Sequence, residues 1–392
     1  MLMPSTFRVL VVHNAYQQRG GEDAVVEAEV ALLKAYGHEV LEYRRDNAEI
    51  AGMSKSRLLG ETLWSARTVR ELTARTRNFS PDLIHVHNTF PLISPAIYWA
   101  TDRLSVPVVQ TLHNFRLICL NALFLREGKV CEDCMGHVPW RGVARACYRG
   151  SRAASATMAG MLMLHRGLGT YGTKVARYIA LNEFCRGKFI EGGLPAERVV
   201  VKPNFVDFDA PQPSPRDGLL FVGRLSAEKG VSTLAQSMAL LPDTRLRVVG
   251  DGPEAHLLRS LCGVTRLGRL PGDEVRLEMS RASALVLPSI CYENFPRTIA
   301  EAYACGLPVI ASRLGVMAEL VEDGRTGLLF APGDAHDLAR KIAWAEQHPE
   351  EMRTMGNNAR HEYEAKYTPE INYRQLMSIY GQAIAEVRDH AT

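Results

Sequence analysis

Short apolar runs alternate with longer amphipathic stretches along most of the chain. Phe7-Arg-Val-Leu-Val-Val12 reads as a strand, followed by a loop holding Gly20 and Gly21 and a helical pattern from Glu22 to Tyr36. Gly37-His-Glu-Val-Leu41 turns into a second strand. Asp82-Leu-Ile-His-Val-His87 and the run from Val106 to His113 follow, each with histidine at its carboxyl side. Strands at Arg177–Asn182 and Arg198–Lys202 complete the first half. Apolar runs that do not alternate suit strands buried on both faces. Their regular exchange with helical patterns predicts a parallel sheet covered by helices.

The pattern then breaks. Residues 203–218 are rich in Pro and turn-forming residues and read as a linker. Strand and helix signals restart at Leu219-Leu-Phe-Val222 and recur at Arg245–Val249, 284–288 and 308–311. From about Asp334 the chain reads as helical. A last helix, Ile371 to Val387, is expected to cross back to the first half. The expectation is therefore α/β architecture with two doubly wound Rossmann-like domains. The first spans 1–205, with an insertion at 116–150 and the helix of 370–392 added; the second spans 206–369.

Composition changes this picture little. At 392 residues with 46% hydrophobic and 23% charged residues, the chain has the makeup of a water-soluble globular protein. The net charge of +3 is unevenly spread. Residues 1–205 carry 26 Lys and Arg against 18 Asp and Glu, and the remainder carries 20 against 25. A basic first half points to an anionic partner, such as a phosphate-bearing lipid or membrane surface. Nucleic acid is not expected, for no basic-aromatic recognition motif is present. The N-terminus runs directly into a strand and lacks the flanks of a signal peptide. No apolar run reaches the roughly 20 residues needed to span a bilayer. The expectation is a cytoplasmic protein with reduced thiols, peripheral at most to the inner membrane face.

Chemistry concentrates in the second half. Ala284–Pro288 reads as a buried strand, a helix is expected from near Phe295 with Pro296 in its first turn, and Gly306 ends it. A helix N-terminus at the carboxyl end of a parallel strand suits an anion. Glu293 and Glu301 flank that helix start, and carboxylates suit sugar or ribose hydroxyls better than phosphate. Gly223-Arg-Leu-Ser-Ala-Glu-Lys-Gly230 follows the first strand of this half. Arg224 would make forked contact with phosphate oxygens and Lys229 a point contact, with Gly230 starting the next helix. The order is not that of a Walker loop. Gly250-Asp-Gly-Pro253 is a second glycine turn. Taken singly, each motif also admits the blander reading of a capped, solvated surface turn.

In sequence order, Gly223-Arg-Leu-x-x-Glu-Lys-Gly230, Gly250-Asp-Gly-Pro253 and Glu293-x7-Glu301 resemble the family 4 retaining glycosyltransferases of the GT-B fold. Gly20-Gly21, His113, Lys202-Pro-Asn204 and Cys305-Gly-Leu-Pro-Val-Ile-Ala-Ser312 are similar pieces, so the resemblance covers most of the chain. It implies two domains facing across a cleft and a nucleotide-diphosphate sugar donor. Arg224 and Lys229 would bind the diphosphate, Glu301 the ribose hydroxyls, and Glu293 the transferred sugar. Gly21, beside Gly20, would let backbone approach the diphosphate, and His113 would contact the donor sugar. Thr265–Leu270, with Arg269, would border the base, and Gly250 belongs to the second glycine turn of the site. The family pattern Glu-Gly-Phe-Gly-Leu is here Glu293-Asn-Phe-Pro-Arg297. Pro296 removes a backbone N–H there, while Asn294, Phe295 and Arg297 change the sugar side.

The implied activity is transfer of a hexosyl-type sugar, with retention, to a glycan or lipid-linked acceptor in cell-surface polysaccharide synthesis. No cofactor is required if fixed cations stabilise the leaving diphosphate. A sugar-nucleotide epimerase of the same fold and a non-catalytic nucleotide-sugar-binding relative remain alternatives. Separately, Cys119, Cys131, Cys134 and Cys147 give C-x11-C-x2-C-x12-C. Four thiolates at this spacing could close a structural zinc site; unliganded thiols and disulfides are the other readings. Residues 134–182 contain seven Lys or Arg and no Asp or Glu. A helix at Ala153–Leu168 lies within them. With a basic stretch from Lys55 to Arg77, this region suits either an anionic membrane or an ordinary solvated surface. His85 and His87 are expected to be structural or to line the site.

Overall fold

Two six-stranded sheets, every pairing parallel, carry the chain. The computed structural model describes residues 6–207 and 215–389. Residues 208–214, inside the expected linker, lie outside the described residues.

The first sheet is built from β1 (Arg8–Ala15), β2 (Glu39–Asp46), β3 (Leu83–Asn88) and β4 (Val108–Thr111). A small antiparallel hairpin follows, β5 (Leu125–Arg126) with β6 (Lys129–Val130). The sheet is then completed by β7 (Arg177–Ala180) and β8 (Val199–Val201), in the order β2-β1-β3-β4-β7-β8. Every residue of β3 and β4 is buried, including the polar His85, His87, Asn88, Gln110 and Thr111, as strands covered on both faces require. The β1–β3 register shifts between Val12 and His13, a local irregularity at the carboxyl end. The direction of the sheet's connections reverses between β1 and β3, the usual ligand position in an open α/β sheet.

The second sheet comprises β9 (Leu219–Val222), β10 (Leu246–Val249), β11 (Val264–Gly268), β12 (Ala284–Leu287), β13 (Val309–Ser312) and β14 (Gly327–Phe330). Its order, β11-β10-β9-β12-β13-β14, is that of a dinucleotide-binding sheet, with the switch point between β9 and β12. Phe221, Val248, Val286 and Ile310 on these strands pack with Leu234 and Leu338 from covering helices.

The described chain falls into two units. One takes in the chain through Ala122, Glu132–Asn204 and the chain from Glu370; the other takes in Leu123–Cys131 and Phe205–Pro369. The helix Pro369–Asp389 serves the first unit, where Tyr380 Oη lies 2.7 Å from His85 Nδ1 and Tyr373 Oη 2.9 Å from His38 Nε2.

Several element boundaries differ from expectation. The basic stretch from Lys55 is two helices, Lys55–Trp64 and Ala66–Phe79. Ser65 divides them because its hydroxyl accepts from the Thr68 N–H, capping the second. The helix expected near Phe295 is Arg297–Ala304, and Pro296 precedes it as its N-cap. The helix after β9 is Val231–Ala239. Gly230 stands before it in the left-handed region, after a 3-10 turn at Ala227–Lys229. The Ala- and Met-rich helix is Arg152–Gly167.

Candidate active site

At the second switch point the segment after β9 is locked in place by glycines. Gly230 has φ +70°, and a Cβ there would sit 1.9 Å from the Pro288 carbonyl oxygen. Only glycine lets this turn lie against the residue following β12. The Ile290 N–H donates to the Glu228 carbonyl at 3.0 Å, tying the same two loops. Gly250 makes an equally close approach on the other side. Its φ is +131°, and a Cβ would lie 1.9 Å from the Gly223 carbonyl oxygen. Leu225, with no exposed surface, anchors the segment: its N–H donates to the Asp251 carbonyl and its carbonyl accepts from Glu254.

These constraints bring Lys229 to Glu293. The ammonium lies 2.6 Å from Glu293 Oε1, and Ser289 Oγ donates to the same oxygen at 2.7 Å. Burial pulls the Lys229 pKa down, but the Glu293 carboxylate more than offsets it, so the ammonium is held above its ordinary value. At the start of the following helix, Arg297 Nη2 lies 3.4 Å from Oε1 of Glu301, one turn on. Burial raises the Glu301 carboxyl pKa, against the pull of Arg297 and Arg276. Asn294 and Phe295 are half-buried between the two carboxylates in sequence, and the Phe295 ring meets Tyr367 edge-on at 5.9 Å. Arg224 is exposed just past β9, and Arg269 just past β11. The Gly250 N–H donates to the Gly268 carbonyl at 2.7 Å, so the second glycine turn borders the Arg269 strand end.

The first unit presents a different chemistry at its own switch point. Gly20 caps the helix Gly21–Ala35, and its N–H donates to Asp23 Oδ2 at 2.8 Å. A Cβ on Gly21 would meet nothing within 4 Å, so the helix start is open on that side. Behind it, His13 Nε2 lies 2.8 Å from Asp23 Oδ1. Glu22 Oε2 accepts from Tyr16 Oη at 2.9 Å and from Asn114 Nδ2 at 3.3 Å. Burial raises the Glu22 pKa to about 7, against the hydrogen bond from Tyr16 and the charge of Arg116. His113, two residues beyond β4, is half-buried, and its Nε2 lies 2.9 Å from His87 Nδ1. Burial lowers the His113 pKa to about 3, so the ring is neutral at physiological pH.

Sequence reasoning missed His13, Glu22, Asp23 and Glu29 and gave Lys202 no partner. Lys202 is 1% exposed, with its ammonium 3.1 Å from Glu29 Oε2 and 3.1 Å from Asn372 Oδ1. Glu29 sits mid-helix in a pattern that reads as an ordinary amphipathic helix. The only available signal was a carboxylate on that helix's apolar face, among Val25, Val26, Leu32 and Leu33.

In the insertion, Cys119, Cys131, Cys134 and Cys147 are all half-buried. Gly142 is a meeting point. A Cβ on it would lie 2.8 Å from Leu120 Cδ1 and 3.3 Å from Cys134 Sγ, and its carbonyl accepts from the Cys147 N–H at 2.9 Å. Cys131 closes the base of the β5–β6 hairpin, donating its N–H to the Phe124 carbonyl at 2.8 Å. Much of the neighbouring basic charge is engaged. Arg166 Nη2 donates to the Leu117 carbonyl at 2.7 Å and Lys174 to Asp102 at 2.7 Å, while Arg145 pairs with Asp133. Trp140 is 62% exposed and Val138 54%. Among the described residues, no helix is long and apolar enough to cross a membrane.

Comparison with known proteins accords with this arrangement. The family model of glycosyl transferases group 1 matches residues 206–362, and that of glycosyltransferase family 4 matches 19–210. Sulfoquinovosyl transferase SQD2 of Arabidopsis thaliana is 26% identical over 307 residues, 76% of this chain and 56% of that protein. The chain spans about half the length of several curated relatives it matches. The fold is similar to sucrose-phosphate synthase from Thermosynechococcus elongatus, with TM-score 0.71 and 21% identity over 97% of this chain and 99% of that one. It is also similar to Anabaena HepE solved with UDP, with TM-score 0.67 and 19% identity over 95% and 98%. The chain belongs to the family 4, group 1 glycosyltransferases of the GT-B fold.

Proposed function

We propose that this protein is a retaining glycosyltransferase that moves a sugar from a nucleotide-diphosphate sugar to a glycan or lipid-linked acceptor, in the building of cell-surface polysaccharide. The observation that carries the reading is the second switch point, where Arg224 and Lys229 follow β9 while Glu293 and Glu301 follow β12. Support also comes from the relative named as a sulfoquinovosyl transferase and from HepE, solved with UDP and glucose.

In this reading Arg224 and Lys229 hold the diphosphate, Glu301 accepts from the ribose hydroxyls, and Arg269 borders the base. Glu293, Asn294, Phe295 and Arg297 border the sugar. Gly20 and Gly21 leave room for phosphate at the start of a helix. The bond between the anomeric carbon and the phosphate oxygen breaks, and negative charge builds on the leaving diphosphate. Fixed cations stabilise that charge more than they stabilise the ground state, so no metal is needed for the step. The acceptor oxygen attacks from the face the diphosphate leaves, and its proton passes to a departing phosphate oxygen, so configuration is retained. The exposed Trp140 and Val138, with Arg141 over the Trp140 ring, suit an anionic membrane surface, and we place the acceptor there, at the cytoplasmic face.

The test is release of nucleoside diphosphate over a panel of uridine, guanosine and adenosine diphosphate sugars, with Glu301→Ala and Lys229→Ala alongside. Release that depends on both residues is expected. No release from any donor, or release undiminished in both variants, would sink the reading.

We further propose that Cys119, Cys131, Cys134 and Cys147 hold a structural zinc ion. The convergence of Cys134, Cys147 and the residue after Cys119 on Gly142 supports it, together with the C-x2-C spacing of Cys131 and Cys134. About one zinc per chain is expected in reduced, unchelated protein. Protein that is folded but free of zinc would rule this out.

A further inference from the structure

Arg116 follows β4 and Phe90 follows β3, so both stand at the carboxyl edge of the first sheet, beside its switch point. The Arg116 guanidinium carbon is 4.8 Å from the centroid of the Phe90 ring and 5.5 Å from that of Tyr148. The two rings meet edge to face at 5.6 Å, with 80° between their planes. The Arg149 guanidinium stands 5.4 Å from the same Tyr148 ring. One phenol ring thus carries two cations, drawn from opposite ends of the 116–150 insertion.

Neither charge is matched by a neighbour. Among the described residues, neither guanidinium makes an ion pair or donates a hydrogen bond, and Arg116 Nη1 is buried without a partner. Residues 134–182, which include Tyr148 and Arg149, contain no Asp or Glu. The carboxyl that feels the Arg116 charge is Glu22. Burial raises its pKa to about 7, so near neutral pH it is ionised only part of the time and offsets that charge only in part. The backbone holds the cations in place. Asn114 Oδ1 accepts the Arg116 N–H at 3.1 Å, and Ser155 Oγ accepts the Tyr148 N–H at 2.9 Å. Arg149 itself has φ +54°, a left-handed conformation that residues other than glycine seldom adopt and that collects at ligand sites.

An arginine set on a ring has its face covered and its N–H groups free in the plane of the fork. Phosphate oxygens match such a fork, because each accepts charge-assisted hydrogen bonds. The hydroxyls of a neutral sugar bring no charge to offset the two cations. We propose that Arg116 and Arg149, both set on the Tyr148 ring, grip a phosphate group that the acceptor carries, so that the acceptor is a phosphate-linked saccharide and not a neutral glycan. This rests on the transferase reading above and narrows its acceptor.

The test is calorimetric titration of the protein with three probes: octyl glucosyl phosphate, glucose 1-phosphate, which lacks the chain, and octyl glucoside, which lacks the phosphate. The two phosphates are expected to bind, and octyl glucoside to bind about tenfold more weakly or not at all. Arg116→Gln and Arg149→Asn should each weaken octyl glucosyl phosphate by about tenfold or more, and Lys229→Met, in the second unit, by less than about twofold. Tighter binding of octyl glucosyl phosphate than of glucose 1-phosphate assigns the phosphate to a lipid-linked acceptor, and equal affinity to a soluble sugar phosphate; either supports the site. Octyl glucosyl phosphate that does not bind, binds no better than octyl glucoside, or binds undiminished to both arginine variants overturns the proposal. Binding lost in Lys229→Met alone places the phosphate with the donor and overturns it too. If Arg116→Gln does not fold, Arg149→Asn decides, because Arg149 is exposed and asparagine tolerates its backbone. A phosphate probe that binds through these arginines yet receives sugar from no donor counts against the transferase reading and leaves the phosphate site standing.

Discussion

Lys229 Nζ stands 2.6 Å from Glu293 Oε1, an ion pair between residues 64 positions apart. Their side chains are 27% and 13% exposed, so the pair is screened less than a surface pair. Neither residue is fixed by its own secondary structure. Lys229 ends a 3-10 turn and Glu293 lies in a loop, and they meet because β9 and β12 are neighbours. The pair is thus a readout of sheet order at the place where the candidate site is built.

If Lys229 serves the leaving diphosphate, Lys229→Met should lower nucleotide release by about 10²–10³-fold, the usual effect of losing one fixed group that stabilises developing charge. Each of Lys229→Met and Glu293→Gln should also lower stability by about 1–3 kcal/mol. The double variant should lose less than the sum, because the pair couples directly. Denaturant midpoints of the four proteins measure this. Additive losses would show that the two side chains do not interact in solution.

Gly230→Ala should be severe. The substitution faces both a left-handed backbone and the Pro288 carbonyl oxygen at 1.9 Å. A loss of roughly 2 kcal/mol or more is expected, read as a lower urea midpoint. Alanine at the neighbouring exposed Ala227 position already shows that the turn tolerates a methyl where space exists. A Gly230→Ala protein of unchanged stability would mean the loop does not lie against Pro288.

Glu22 carries a pH signature. Its folded pKa is raised, to about 7, above an unfolded value of about 4.3. A raised carboxyl contributes stability that is full below the unfolded pKa and is lost as pH climbs through the folded one. Relative to Glu22→Gln, the unmodified protein should therefore lose up to about 3 kcal/mol between pH 4 and pH 7 and then level off. Urea titrations of both proteins at several pH values check the sign. A difference that grows in the opposite direction would place Glu22 in a hydrated setting.

The strands were legible where their physics was simple. Leu219–Val222 has the expected limits because a strand buried on both faces must be apolar throughout. The edge strands of the second sheet were not legible. β11 exposes Thr265 and Arg266, and β14 is four residues between turn formers, so neither presents a periodic signal. Ser65 shows a different limit: one hydroxyl ends one helix and begins another within a stretch that reads as continuous. Lys229, Glu293, Arg297 and Glu301 could be singled out by residue type and spacing. That Lys229 meets Glu293, and Arg297 meets Glu301, depends on sheet order and helix phase. Glu29 and Lys202, 173 positions apart, carry no local mark of their pairing.

The helix Pro369–Asp389 has a consequence for how the chain acquires its structure. It gives the first unit Asn372, Tyr373 and Tyr380, which meet Lys202, His38 and His85. Those partners are all made well before the helix during synthesis. The buried ammonium and imidazoles must wait, incompletely satisfied, until some 170 further residues have been added after Lys202. The first unit is therefore completed on the ribosome only after the second has been made, and residues from Glu370 onward act as the closing piece of a half-assembled sheet.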